Sequence, residues 1–549
     1  MKPAQSLHEA LQSLWLMWVG LHNENADTGL SFGRLDQLLM PYFEMDFQGI
    51  DKRSEKEAKI KQAIELSCDF FLRAADHFPL GPDLSNFLFG GASSTQALTL
   101  GVVTSEGEDA VNDMTYILLK VTEMLNPRDV NVNARFHPEK NSENYLKRLC
   151  GVNFLTCGTP SMHNDKAVFA SLKPHGYAIE EIRDWSATGC VEPAISGKHM
   201  RHTGSILMNL VAGIEMAIHD GLHPTMNWKF GPSTGKIEDD AFSSFEEFLN
   251  AYFVQQKFLI DQAVDLNNKL AHIHSKYRPT PLLSTMIEGP FEKGKDLTVG
   301  GAKYNTSGTS NIGLADVADS LLVIKKLVFD EKRYTFKQLK EAIDNNFKDF
   351  PVMHAEIKKY VDLFGSCNRE ALEIANRVAG EIHNYYAGKL NFRGGRYTSG
   401  FWSMSQHVAY GSLSGSLPSG RLKGKSFTPG LTPHPSASKS FLDNIKDVAK
   451  LLPENLDNNI AFNVKLFPYR KESRKETVDY VSYYVKTYFE LGGMQMQFNV
   501  VNAETLKDAM ANPENYRDLL VRISGYNAYF VTLNRDIQIE LIERAGFKI

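Results

Sequence analysis

Amphipathic helical stretches alternate along this chain with short apolar strands that run into polar loops rich in glycine, serine and threonine. Apolar residues at three- and four-residue spacing predict helices over residues 1–23, 53–77, 243–274, 334–347 and 370–388. Among them lie "FLFGGASSTQALTLG", "FLTCGTPSMHNDK", "GGAKYNTSGTSNIG" and "NFRGGRYTSGFWSMSQHVAYGS". Helices packed around short strands satisfy this alternation, so the chain reads as an α/β barrel with its polar loops gathered at one mouth.

From about residue 410 the pattern changes. "GSLSGSLPSGRLKGKSFTPGLTPHPSASKS" is rich in Gly, Ser and Pro with little periodicity, which marks a long ordered loop or a boundary. The division drawn here is a barrel domain over 1–425 and a C-terminal domain over 426–549. In the latter, Asn512 as N-cap and Pro513 at the first helical position predict a helix start. "VRISGYNAYFVTL" then reads as a strand or hairpin and "NRDIQIELIERAGF" as a closing helix. Gly525 falls in the projecting turn between two helical anchors. A glycine among β-branched and aromatic residues weakens a strand, so it marks a bulge, a corner or a special requirement for a missing side chain.

Several function classes are disfavoured by composition. With 60 Lys and Arg against 65 Asp and Glu, a formal charge of −5 and no basic tract, nucleic acid is not an expected partner. The first residues lack the basic, apolar and small-residue order of a secretion signal, and no apolar run reaches membrane-spanning length. The expectation is a cytoplasmic protein with no membrane partner. Five cysteines, Cys68, Cys150, Cys157, Cys190 and Cys367, show no CxxC spacing or Cys/His cluster, which argues against a disulfide framework and a structural zinc. Cys68, Cys150 and Cys157 read as small buried hydrophobes.

Cys190 differs from them. It stands in "DWSATGCVEP", residues 184–193, after Gly189 and two positions before Glu192, while Pro193 stops a helix from running through. This predicts an exposed loop tip in which the residues at i and i+2 face one cavity. One reading is a nucleophile with its own base. A neighbouring carboxylate, however, raises a thiol's pKa, which disfavours a thiolate and leaves a neutral S–H beside a base. Neutral thiols suit hydrogen-atom chemistry.

Taken together, "GCVEP" and "VRISGYNAYF" resemble the cysteine loop and the radical loop of the glycyl radical enzymes, in the dehydratase and lyase branch of the pyruvate formate-lyase-like superfamily. The resemblance extends over nearly the whole chain, through "LSFGRLDQLLMPYF", "GTPSMHNDKAVFASL", "GGAKYNTSG", "LNFRGGRYTSGFWSMSQHVAYG" and "ELGGMQMQFNVVNAETLKDAMANPENYRDLLVRISGY". It implies a ten-stranded barrel of two five-stranded halves surrounded by helices, with a C-terminal glycyl radical domain. It also implies catalytic roles for Gly525 as the radical carrier, Cys190 as the thiyl and Glu192 as base. The cofactor would be the glycyl radical on Gly525, installed by a radical S-adenosylmethionine activating enzyme. S-adenosylmethionine and an iron–sulfur cluster would be present only in that partner, with no metal or organic cofactor bound here. The reaction would be loss of water, amine or sulfite from a small hydroxylated substrate. A C–C lyase or decarboxylase of the same family and a non-catalytic radical-domain paralogue are the alternatives. Val191 after Cys190 excludes the adjacent cysteine pair of formate acetyltransferases.

Other positions stay open. Thr203 is either a pocket hydroxyl or a helix cap. His163 and Asp165 either face the substrate, protonating a leaving group, or bond within their loop. Arg393 and Arg396 either bind an anion or form surface salt bridges, and Cys367 is an auxiliary thiol or a filler. Relatives carry a helical segment before the position of "LSFGRLDQ" that lines the pocket. A companion chain or homodimer supplying it, a more open pocket, or a shortened sequence would each account for its lack here. A cysteine-dependent hydrolase is the rival from another class, weakened by Glu192 and by the first downstream histidine being His199.

Overall fold

The computed structural model describes residues 2–25, 30–76, 96–235, 242–437, 440–467, 473–544 and 546–548. Most of "FLFGGASSTQALTLG" and the last residue of the helix expected over 53–77 lie outside them. The strands are β1 (Ala97–Leu100), β2 (Asn131–Phe136), β3 (Ser161–Asn164), β4 (Trp185–Thr188), β5 (Glu192–Ile195), β6 (His202–Asn209), β7 (Leu222–His223), β8 (Trp228–Lys229), β9 (Ser307–Ile312), β10 (Tyr397–Gly400), β11 (Asn463–Phe467), β12 (Gln495–Val500), β13 (Leu520–Arg522), β14 (Asn527–Tyr529) and β15 (Gly546–Lys548).

Among the described residues they pair into a six-stranded sheet, β1-β2-β3-β12-β11-β15, and a three-stranded parallel sheet, β10-β9-β6. Every junction of the larger sheet is parallel except β3 with β12. A parallel bridge between Phe401 and Ile460 joins the two sheets. The α/β class is as expected, with the strands grouped six and three.

Helices form where the apolar spacing places them, at Leu7–Glu24, Arg53–Asp76, Phe245–Tyr277, Phe336–Asp344 and Arg369–Ala387. Four of these starts are fixed by side-chain caps. Ser6 accepts from the Glu9 N–H, Ser244 from Glu247, Thr335 from Gln338 and Asn368 from Glu370.

The strands bear two different faces. Along β2, Val132, Ala134 and Phe136 join the apolar core, while Asn131, Asn133 and Arg135 alternate with them and are equally buried. β12 repeats this with Met496 and Phe498 against Gln495, Gln497 and Asn499. The larger sheet therefore turns apolar side chains to its helices and a row of amides inward. Buried amides need partners, and the hairpins described below supply them for Asn131, Gln497 and Asn499, while Asn133 meets His163 and Gln495 accepts the Phe462 N–H.

Residues after 426 supply β11, β12 and β15, half of the six-stranded sheet. Asn164 fastens this junction: its amide donates to the Phe489 and Gly493 carbonyls at 2.9 and 2.7 Å. The helix expected from Asn512 is not formed. Asn512 ends the preceding helix Ala503–Ala511 and donates to Asp508 at 2.7 Å, and Pro513–Asn515 make a single tight turn. "VRISGYNAYF" is the β13/β14 hairpin, and a helix over Arg535–Glu543 follows.

Candidate active site

Two hairpins meet inside the protein. In the first, β4 pairs antiparallel with β5 as far as Thr188 opposite Glu192, leaving Gly189, Cys190 and Val191 as the turn. Gly189 holds φ +64 there. The expected exposed tip is instead buried, with Cys190 3% and Glu192 2% exposed. It is buried because the second hairpin lies against it.

Glu192 organises this turn. One carboxylate oxygen accepts the backbone N–H of Cys190 at 2.8 Å and of Val191 at 2.5 Å; the other accepts the Thr203 hydroxyl at 3.0 Å. Burial raises the Glu192 pKa, opposed by these hydrogen bonds. Burial and then the Glu192 charge push the Cys190 thiol well above its ordinary value. The thiol is therefore neutral, as the carboxylate neighbour implied.

Gly525 lies in the turn of the second hairpin, at φ +103. A β-carbon there would lie 2.6 Å from Cys190 Cβ and 3.0 Å from Sγ. With a C–C bond of about 1.5 Å, the Gly525 Cα is within about 4.5 Å of the sulfur. The missing side chain thus serves a close approach.

Two residues not singled out in the sequence hold this contact. Asn131 Nδ2 lies 3.0 Å from the Gly189 carbonyl, 2.8 Å from that of Cys190 and 3.1 Å from that of Gly525. Arg522 donates to the Gly525 carbonyl at 2.9 Å, to Asn131 Oδ1 at 3.0 Å, to Gln497 at 2.9 Å and to the Ser161 hydroxyl. Arg522 is fully buried among amide, hydroxyl and carbonyl oxygens, and burial lowers its pKa to about 10. An asparagine in an otherwise strand-like "NVNARF" was the available signal for Asn131.

A cavity of about 820 Å³ opens onto this point, lined by Cys190, Glu192, Thr203, Trp402, Met404 and Tyr526 among others. Thr203 sits on β6, so its hydroxyl is a pocket group and no helix cap. His163 and Asp165 do not line the cavity. His163 is bonded through its two ring nitrogens to Asn133 at 2.8 Å and Asn459 at 3.2 Å, and burial lowers its pKa to about 3. Asp165 takes two bonds from Arg135, at 2.8 and 2.9 Å, and one from the Trp185 indole at 2.9 Å. Both side chains are tied up by the inward-facing polar residues of β2, away from the cavity lining, which corrects the expectation that they face a substrate.

Arg393 lines a second cavity of about 300 Å³ and donates to the Thr306 carbonyl and the Ser307 hydroxyl, so it is not the surface ion pair considered above. Arg396 is exposed, and Cys367 is exposed beside Asp443. Among the described residues no group of three or more His, Cys, Asp or Glu side chains could hold a metal, and no helix is long and apolar enough to cross a membrane.

Residues 1–411 match the family model "Pyruvate formate lyase-like", and residues 427–531 match "Glycine radical". The chain is 28% identical to trans-4-hydroxy-L-proline dehydratase of Clostridioides difficile, over 98% of its own length and 67% of that protein. It is also 28% identical to isethionate sulfite-lyase of Nitratidesulfovibrio vulgaris, over 100% and 66%. It thus spans about two thirds of the length of these relatives. Among solved structures, the B12-independent glycerol dehydratase from Clostridium butyricum superposes with a TM-score of 0.93 at 30% identity, covering 100% of this chain and 68% of the other.

Proposed function

The chain belongs to the pyruvate formate lyase-like family and carries a glycine radical region after the barrel, and from that membership we propose that it is a radical lyase for a small hydroxylated substrate. The observation that carries this reading is the placing of Cys190, with Gly525 against it and Glu192 bonded to its turn, on one cavity.

The residues fit a Cα-centred radical at Gly525. No side chain hinders planarity there, two donors sit on its carbonyl, and the nearest reactive group is a neutral thiol. Carrying the radical, Gly525 takes the hydrogen atom of the Cys190 thiol. Cys190 then takes a hydrogen atom from the substrate carbon bearing a hydroxyl group. Glu192 accepts the hydroxyl proton, and the resulting ketyl expels the leaving group from the neighbouring carbon. Sulfite leaves as the anion, whereas hydroxide or amine takes the proton from Glu192 as water or amine departs. The product radical recovers its hydrogen from Cys190. The base contributes about 10² to 10⁴-fold. Thr203 holds the second Glu192 oxygen and fixes the carboxylate's rotamer.

The partner this reading requires is a radical S-adenosylmethionine activating enzyme, which keeps its own iron–sulfur cluster. A homodimer or companion chain covering the cavity, a cytoplasmic location and a domain division near residue 426 belong to the same reading. The test is anaerobic incubation with an activase and S-adenosylmethionine, followed by electron paramagnetic resonance and by assays on glycerol, isethionate and trans-4-hydroxy-L-proline. A doublet with turnover of any of these supports the lyase. No doublet with a competent activase, and an intact chain after air, removes it.

A further inference from the structure

We infer that Asn131 is a positioning residue that locks the cysteine turn to the glycine turn, setting the distance over which hydrogen passes between Cys190 and Gly525. The inference rests on the radical reading above and concerns a residue outside that reaction scheme.

Asn131 is 2% exposed, at the first position of β2, with its backbone N–H bonded to the Gln96 carbonyl at 2.9 Å. Its Nδ2 faces three carbonyls, and its Oδ1 faces a guanidinium donor. A flipped amide would set oxygen against three acceptors and nitrogen against a donor, so only one orientation is consistent. Arg522, still protonated near neutral pH with its pKa lowered to about 10, enforces that orientation and bonds the Gly525 carbonyl itself.

The three carbonyls belong to both turns. Gly189 and Cys190 sit on the first hairpin and Gly525 on the second, 335 residues away in sequence from Cys190. One NH₂ group shared among them acts as a common hub. Its anchor, β2, is a buried inner strand of the six-stranded sheet and independent of either hairpin. Hydrogen-atom transfer falls steeply with donor–acceptor distance, and a shift of about 1 Å at a reacting pair costs on the order of 10²-fold.

The experiment needs no substrate. The full chain is activated anaerobically, and the doublet is followed after dilution into ²H₂O. There the Cys190 thiol carries deuterium, and repeated transfer to Gly525 and back replaces the α-hydrogen, collapsing the doublet to a singlet. In Asn131→Ala the expected result is a doublet of wild-type intensity whose collapse is at least tenfold slower. Asn131→Asp keeps the shape and the bond to Arg522 but turns an acceptor toward the three carbonyls, and is expected to slow the collapse similarly. Thermal unfolding of both variants reads folding separately. Collapse at the wild-type rate in a variant that keeps its doublet overturns the inference and leaves the radical reading intact. A wild-type doublet that never collapses also overturns it, because thiol and glycine then pass no hydrogen. A wild-type chain that forms no doublet removes both. If neither variant forms a doublet while both unfold at the wild-type temperature, Asn131 acts in radical installation, and the inference again fails.

Discussion

The side-chain position of Gly525 is occupied by Cys190: a β-carbon built on the glycine would lie 2.6 Å from Cys190 Cβ. Gly525→Ala therefore fails twice. It strains a backbone at φ +103, at about 1–3 kcal/mol, and it forces the two turns apart. The expected outcome is a lowered melting temperature, no doublet and no oxygen-dependent cleavage at residue 525. Adding Cys190→Gly removes the colliding atoms and should restore part of the melting temperature without restoring the radical.

Cys190→Ala separates installation of the Gly525 radical from turnover. Turnover should vanish while the Gly525 doublet still forms, because the alanine removes the acceptor between glycine and substrate but leaves the glycine turn in place. Loss of the doublet in this variant, with folding intact, would contradict the order of transfer.

Glu192 works as a base only when ionised, so turnover falls as pH drops through its pKa. Burial raises that pKa above the ordinary carboxylate value of about 4.3, and the acid limb of the rate profile should lie correspondingly high. Thr203→Val deletes a hydrogen bond that lowers the value, and should move the limb to higher pH. Glu192→Gln should reduce turnover by about 10² to 10⁴-fold above that limb, with the gap to wild type closing below it, while leaving the doublet unchanged.

Glu540 gives the C-terminal unit its own acid dependence. Burial would raise its pKa, but Arg544, at 2.8 Å, and His407 bring it down to about 2. A depressed carboxylate stabilises the fold above its unfolded pKa of about 4.3, and this contribution is lost as pH falls toward about 2. Glu540→Gln leaves Arg544 buried without its carboxylate, at an expected cost of about 3–5 kcal/mol near neutrality. Calorimetry should show the gap between variant and wild type narrowing as pH falls through that window.

The helices were legible because apolar spacing and caps such as Ser244 and Asn368 are local signals. The pairing of Cys190 with Glu192 was legible from their closeness in sequence, although Cys190 lies in a turn and not on extended chain, and the carboxylate bends back onto its N–H. The roles of His163 and Asp165 were not legible. Their residue types suit proton transfer, but β3 turns His163 toward Asn133, and Arg135 encloses Asp165. Asn512 was misread because an Asn–Pro pair suits the end of one helix as well as the start of another. Asn131 and Arg522 escaped notice because their partners, 391 residues apart in sequence, meet only through the fold. A polar residue on a buried strand face is the trace such a contact leaves.

The raised pKa of Cys190 also bears on how the protein survives before activation. Alkylating agents and peroxide attack thiolates, and a thiol 3% exposed beside a carboxylate offers almost none near neutral pH. The unactivated chain should therefore tolerate purification in air, with iodoacetamide reaching the exposed Cys367 long before Cys190. Sensitivity to oxygen would be acquired at one moment, when Gly525 gives up a hydrogen, and the cysteine would wait for that moment chemically inert.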